Sequence, residues 1–251
     1  MYEMPDEYGV RVVDRLAGDW VVVDREHLVG ESFAGRRMIK FAAIGSTFER
    51  CSFAGVVCAD ASLGSGLVQS EYRECVFDGA KLRLPHGGIA RFVDCSFRNV
   101  DLRSWECGAV ELIGCVFTGT LRSGWFWYPV PQRYIEAIGR EYNTIVDNDF
   151  RGLRMTGFYF RGGVDLSRQQ LPDSPDYLYM PDGPAAVAAV EAELPDCPEP
   201  LRRPAARLLS NVQDMIDEGQ QQIWLRRKEF IGPDLEPGRW VLNILDRFQA
   251  R

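Results

Sequence analysis

Lysine and histidine are almost missing from this 251-residue chain. Three Lys (Lys40, Lys81, Lys228) stand against 26 Arg, and the histidines are His27 and His86. So few histidines leave little for an imidazole-based metal centre or a nucleophile–base pair. No CxxC, GxSxG, GxGxxG, HExxH or Walker A motif occurs, so the corresponding metal, hydrolase, dinucleotide and phosphate chemistries lack their signatures. No apolar run approaches the roughly 18 residues of a membrane span, and the acidic stretch Met1 to Glu7 carries no signal-peptide pattern. Excess positive charge is also missing: 29 Lys and Arg against 36 Asp and Glu give a net charge of −7. That balance argues against membrane association and makes direct nucleic-acid binding an unfavoured expectation. What is there is 46% hydrophobic and 26% charged, a globular composition expected of a cytoplasmic protein. The Arg bias is of the kind found in GC-rich bacterial genomes.

A short pattern recurs along the chain: Phe33-Ala34-Gly35, Phe53-Ala54-Gly55, Phe77-Asp78-Gly79, Phe97-Arg98-Asn99, Phe117-Thr118-Gly119 and Phe150-Arg151-Gly152. The Phe-to-Phe steps are 20, 24, 20, 20 and 33, a period of 20 with insertions of 4 and 13. Upstream context repeats as well, in Phe48…Cys51-Ser52-Phe53, Tyr72…Cys75-Val76-Phe77, Phe92…Cys95-Ser96-Phe97 and Leu112…Cys115-Val116-Phe117. Within each unit apolar residues return every five positions, as in Phe77, Leu82, Phe92, Phe97, Leu102, Leu112 and Phe117. A second, mostly small set lies two residues before each. A helix wants 3.6 and a strand wants 2. A coil of four five-residue sides fits a period of five, with the Gly or Asn after each Phe at a corner that needs a permissive backbone.

These units resemble the pentapeptide-repeat family; Val100-Asp101-Leu102, Ala80-Lys81-Leu82 and the Cys-x-Phe units carry the resemblance. It covers about residues 28–171, departing from the consensus where Cys replaces Ala and the Asp/Asn position is lost. The resemblance implies a mainly β chain folded as a right-handed quadrilateral parallel β-helix, here with a helical insertion and a C-terminal α-helical segment. Stacked coils would lie about 4.8 Å apart, making an interior ladder of Phe33, Phe53, Phe77, Phe97, Phe117 and Phe150. Cys51, Cys75, Cys95 and Cys115 take the small inward position, where a free thiol packs as a small hydrophobe. Their 24, 20 and 20 spacing follows the coil and not a zinc pattern. No catalytic, cofactor or metal residue is assigned. Asp147 and Asp149, flanking Asn148, are expected to face solvent. Gly87-Gly88 and Gly162-Gly163 are expected at corners, with His86 at the corner Pro85-His86-Gly87-Gly88.

Three segments follow. Residues 1–27 form an N-terminal β cap, with Val10, Val12, Val21 and Val23 in a strand pair around Ala17-Gly18-Asp19. Residues 28–171 form the coil, with Ser62 to Gly66 a flexible loop. Residues 172–251 form a helical cap, or a dimerisation segment through which two copies pair. In this last segment a helix runs from Asp182 to Leu194, followed by a stiff connector through Pro195, Pro198, Pro200 and Pro204. Further helices carry Leu208 to Ile216, then Ile223, Trp224 and Phe230, then Trp240 to Phe248. Within the coil the insertion at 122–142 carries Trp125-Phe126-Trp127-Tyr128-Pro129-Val130-Pro131. A helix follows from Gln132 to about Tyr142, striped by Tyr134, Ile135, Ile138 and Tyr142. This insertion either covers an outer face of the coil or protrudes toward a protein partner. Trp125, Phe126, Trp127, Tyr128 and Tyr134 are the candidate contacts.

The pentapeptide resemblance also raises DNA gyrase, which family members inhibit or protect as acidic rods imitating duplex DNA. Residues 28–171, however, carry 17 basic and 15 acidic side chains, whereas 1–27 and 172–251 carry −4 and −5. Mimicry needs the charge on the rod, so the near-neutral coil disfavours it. The first expectation is therefore a non-enzymatic protein-interaction module with an unidentified protein partner, in an immunity or antitoxin-like role or as a subunit of a bacterial assembly. A topoisomerase-binding inhibitor or protector is the alternative.

Overall fold

The computed structural model describes residues 10–12, 19–84, 88–231 and 235–250; the expected corner at Pro85 to Gly87 and the turn at Ala17-Gly18 lie outside them. The chain divides into two units. One runs through Phe158 and includes Arg168–Leu171; the other comprises Tyr159–Ser167 and Pro172–Arg251.

The first unit is a β-solenoid. One sheet contains, in order, Val10–Val12, Asp19–Asp24, Arg37–Ile44, Val57–Ser65, Lys81–Arg83, Ser96–Cys107, Val116–Trp127 and Asp149–Arg161. The other runs Ile145–Val146, Ala109–Ile113, Ile89–Val93, Ser70–Arg73, Thr47–Glu49 and His27–Val29. Successive coils pair in parallel with the repeat's own offset: Tyr72 faces Phe92, Phe92 faces Leu112, and Leu82, Leu102 and Leu121 form one column. The strand pair at the start is antiparallel, with Val10 opposite Val23 and Val12 opposite Val21. Asp19–Asp24 itself already pairs in parallel with Arg37–Ile44, so the coil begins within the first 27 residues. Residues Ser62 to Ser65 are strand and not loop, because they continue the pairing of Val57–Ser65 with Arg37–Ile44 past a register shift.

The aromatic columns fix the interior. Phe33, Phe53, Phe77, Phe97 and Phe117 stack with ring centroids 4.6–4.8 Å apart and planes within 8°, and Phe150 continues at 5.0 Å. A second column places Phe48 on Tyr72 at 4.7 Å and Tyr72 on Phe92 at 4.8 Å. These separations equal the distance between hydrogen-bonded strands, so backbone pairing and ring contact are satisfied by one geometry. Trp105, fully buried, fills the space between Phe92, Phe97 and Phe126.

Cys51, Cys75, Cys95 and Cys115 form a third column, buried and free. Each thiol donates to a carbonyl well back along the chain: Leu28, Phe48, Tyr72 and Phe92 respectively, at 3.3–3.7 Å. They therefore fill space and also engage backbone acceptors. Burial pushes the Cys51 and Cys95 thiols up, keeping both protonated.

The corners are left-handed at fixed places. Two residues after the ladder Phe, Gly35, Gly55, Gly79, Asn99 and Gly119 have positive φ, whereas Gly152, at the same place after Phe150, continues its strand without one. At Gly119 φ is 104°, and a Cβ would stand 2.3 Å from the Val100 carbonyl oxygen. A second corner lies three residues before the Phe, at Gly30, Arg50, Glu74, Asp94, Gly114 and Asp147. A left-handed non-glycine residue costs about 1 kcal/mol. The offset is an inter-coil bond at each: Arg50, Glu74 and Asp94 donate their N–H to Arg73, Val93 and Ile113 carbonyls, all at 2.9 Å.

In the second unit, Tyr177–Met180 pairs antiparallel with Ile223–Arg226. Ile223 and Trp224 thus lie in a strand and not a helix, because Gly219 (φ 100°) breaks the chain and Ile-Trp-Leu favours extended backbone. Three longer helices pack around this pair, α1 (Gly183–Glu193), capped by Asp182, α2 (Glu199–Asp217) and α3 (Leu235–Leu245), and a short helix, Arg227–Ile231, carries Phe230 as expected. Leu178, Val190, Leu209, Val212, Ile223 and Val241 belong to their common core. Pro200 and Pro204, expected in a connector, fall inside α2; Pro200 sits in the first turn, where its missing N–H has no intrahelical role. Among the described residues no helix is long and apolar enough to cross a membrane.

The ladder yields a paired prediction. Phe97→Ala, in mid-column, should destabilise by about 3–5 kcal/mol. The Tyr72 hydroxyl is buried with no hydrogen-bond partner, so Tyr72→Phe should stabilise by about 1 kcal/mol. Urea unfolding of the two variants checks both signs.

Candidate protein-docking surface

The strand Val116–Trp127 continues the coil further than the sequence pattern suggests. Trp125 lies opposite Glu106 and Phe126 opposite Cys107 in parallel register. Strand alternation therefore sends Phe126 inward and its two neighbours outward. Phe126 is fully buried, edge-on to Trp105 at 5.6 Å and to Phe158 at 4.7 Å. As a candidate contact it is corrected: the residue is core, and a partner cannot reach it. Trp125 and Trp127 are half-buried on the outer side. Gly124 makes this placement possible, since a Cβ there would stand 2.1 Å from the Trp105 carbonyl oxygen.

The chain leaves the coil only after Trp127, so the insertion is shorter than residues 122–142. Its two ends are zipped: Val130 N–H donates to Glu141 O at 2.8 Å, and Asn143 N–H to Tyr128 O at 2.7 Å. Between them a two-turn helix, Gln132–Ile138, begins after Pro131 and ends at the left-handed Gly139. It stops short of the expected Tyr142 because Gly139 terminates it. Tyr134, Ile135 and Ile138 pack on Ile89, Ala109 and Val130, so the helix covers the outer face of Ile89–Val93 and Ala109–Ile113. Tyr134 is partly buried there, with the Arg133 guanidinium 4.7 Å from its ring centre. Tyr142 leaves the stripe and stacks on Tyr128 at 4.9 Å, 53% exposed. Trp125, Trp127, Tyr128 and Tyr134 are half-buried and Tyr142 is exposed, so these five aromatics of the region reach the surface.

Polar residues hold the insertion down. Asn143, buried, donates to the Gly108 and Trp127 carbonyls at 2.9 and 2.8 Å. Arg140 donates to Ala109 O at 3.2 Å, to Asn143 Oδ1 at 3.3 Å and to Gln69. Its guanidinium also lies 3.5 Å from the nearly buried Glu111 carboxylate. Glu111 extends an in-register row, Glu71, Arg91, Glu111, across three strands, with Arg91 3.7 and 3.8 Å from its neighbours. This row carries alternating charge; Arg73 pairs with Glu71 at 2.9 Å at one end, and Arg140 meets Glu111 at the other.

Asp147 and Asp149 face outward on Arg168 (2.8 Å) and Arg151 (2.7 Å). The hydrogen bond from Arg151 holds the Asp149 carboxyl below the usual carboxylate range. Between them Asn148 is buried, accepting from Cys115 N–H and donating to Leu112 O. Among the described residues no group of three or more His, Cys, Asp or Glu is placed to hold a metal ion. No family model matches this chain, and no curated protein matches it.

Sequence reasoning missed Arg140, Asn143, Asn148 and Glu111. Glu111 was traceable, since Arg91 precedes it by 20 residues and Glu71 precedes Arg91 by the same interval. Asn148 was traceable too, since it stands two residues before Phe150, where Cys51, Cys75, Cys95 and Cys115 stand before theirs; Arg140 and Asn143 act across irregular chain and leave no periodic trace.

Removing Arg140 leaves the buried Glu111 carboxylate with Arg91 alone as its ion-pair partner among the described residues, 3.8 Å away. Arg140→Met should destabilise by about 2–4 kcal/mol, and Glu111→Gln in the same chain should recover part of that loss. A double-mutant cycle by chemical denaturation measures the coupling.

Proposed function

We propose that the chain is a non-enzymatic protein-interaction module of the pentapeptide-repeat type, in which the coil is a rigid platform and the Trp125–Tyr142 region the docking surface. One observation carries this reading: Trp125 and Trp127 flank the buried Phe126, beside the half-buried Tyr128 and the exposed Tyr142 stacked on it. Aromatic anchors held by a packed core lose little conformational entropy on binding, which is what interface hot spots require. The five-residue period of the sequence and the parallel, in-register stacking of coils support this reading. A bacterial, cytoplasmic setting, as an immunity or antitoxin-like protein or an assembly subunit, is consistent with this role.

The test uses the intact chain as bait in the source organism's lysate. A specific partner should be retained, and Trp127→Ala with Tyr142→Ala should lower its retention at least tenfold while the thermal melt stays cooperative. Equal retention by the folded double variant would overturn the assignment of this surface. Stoichiometric inhibition or protection of gyrase supercoiling would redirect the function to topoisomerase.

A further inference from the structure

The coil carries a second feature that the aromatic surface does not use. Residues 81–83, 101–103 and 120–122 lie in strict parallel register, with Lys81, Asp101 and Thr120 in one column and Arg83, Arg103 and Arg122 in another. Between them Leu82, Leu102 and Leu121 point inward and are buried. Lys81, Arg83, Arg103 and Arg122 are exposed, the last two with side chains 55% and 45% accessible. Arg154 is exposed on the adjoining strand between buried Leu153 and Met155. Among the described residues, neither Lys81 nor Arg83 has an ion-pair partner, and Asp101 is the one carboxylate in the two columns.

The way Asp101 is held shows what this ladder accepts. Arg103 Nη2 reaches Asp101 Oδ2 at 3.0 Å, Arg122 Nη2 reaches Oδ1 at 3.0 Å, and the Thr120 hydroxyl donates at 3.2 Å. A single carboxylate is therefore gripped between two successive rungs. The hydrogen bond from Arg103 keeps that carboxyl below its ordinary range, so it stays ionised. Guanidinium groups suit carboxylates in this planar, forked manner.

Spacing selects the shape of what else can bind. Rungs repeat at about 4.8 Å, so three rungs span about 9.6 Å. On an α-helix, residues i, i+3 and i+7 stand about 4.5 and 10.5 Å apart along the axis, on one face. On an extended strand, same-face residues are about 6.7 Å apart and drift out of step by the third. The chain's net charge of −7 opposes the long-range approach of a polyanion such as nucleic acid, and penalises a short acidic stripe far less.

We infer that Arg83, Arg103 and Arg122 form a docking ladder for an acidic α-helix of a protein partner, its carboxylates seated along successive rungs. This rests on the reading of the coil as a protein-docking platform, and it names the chemistry of one contact. Lys81 and Arg154 extend the positive field on either side.

The test is fluorescence anisotropy with the full chain and three labelled probes: an alanine-based helical peptide with Glu at i, i+3 and i+7, the same composition scrambled around prolines, and a 20-nucleotide single-stranded dT. The helical peptide should bind best and weaken with added salt. R83Q/R103Q/R122Q, with an unchanged circular dichroism melt, should reduce its affinity at least tenfold. Asp101→Asn removes the internal competitor and should tighten binding severalfold. Absence of helical-peptide binding, equal binding of the scrambled peptide, tighter binding of dT, or no loss in the triple variant would each overturn the inference. Retention of the captured partner by the triple variant would overturn it too while leaving the aromatic docking surface standing.

Discussion

The spacing between coils is the constraint on which everything else depends. Parallel strands pair at about 4.8 Å, and stacked aromatic rings in this interior sit 4.6–5.0 Å apart. Because both demands have one solution, a Phe repeated every coil reinforces the backbone ladder and is covered by its neighbours above and below. Displacing one ring breaks contact on two sides and disturbs strand pairing at the same level. The buried thiol column follows the same rule, each Sγ reaching a carbonyl of the preceding coil.

The same pitch organises the outside. Side chains that alternate with the buried columns are presented in straight rows at the rung spacing, so a residue type repeated every 20 positions becomes a line of one chemistry. Glu71, Arg91 and Glu111 make a row of alternating charge, met at its ends by Arg73 and Arg140, and the latter anchors the insertion. Arg83, Arg103 and Arg122 make a row that cancels little of its charge. Trp125 and Trp127 gain fixed positions because Phe126 between them is locked in the core. Surface chemistry is thus a by-product of interior periodicity.

That coupling explains what could be read from sequence. The Phe and Cys repeats, the five-residue period and the Gly and Asn corners dictate a solenoid, and the structure is one. The second left-handed corner escaped notice because Arg50, Glu74, Asp94 and Asp147 occupy it in place of glycine. Phe126 looked like part of an aromatic loop because three adjacent aromatics hide the alternation that a longer strand would reveal. Ile223 and Trp224 fall in a strand and not in the expected helix because the left-handed Gly219 ends the preceding helix and an extended segment follows it. Asn143 and Arg140 bond to groups far away in sequence, across chain with no period, and nothing local marks them, whereas Asn148 takes the repeat position that Cys51, Cys75, Cys95 and Cys115 fill in the other coils.

Hydrogen exchange under native conditions tests the coil-stacking account most directly. Amides of the central strands Ser70–Arg73, Ile89–Val93 and Ala109–Ile113 should exchange last and together, through cooperative opening of stacked coils. Those of the short insertion helix Gln132–Ile138, which lies outside the stacked strands, should exchange earlier. Independent exchange of the three strands, or protection of the insertion helix equal to theirs, would contradict the claim that the aromatic stack holds the molecule together.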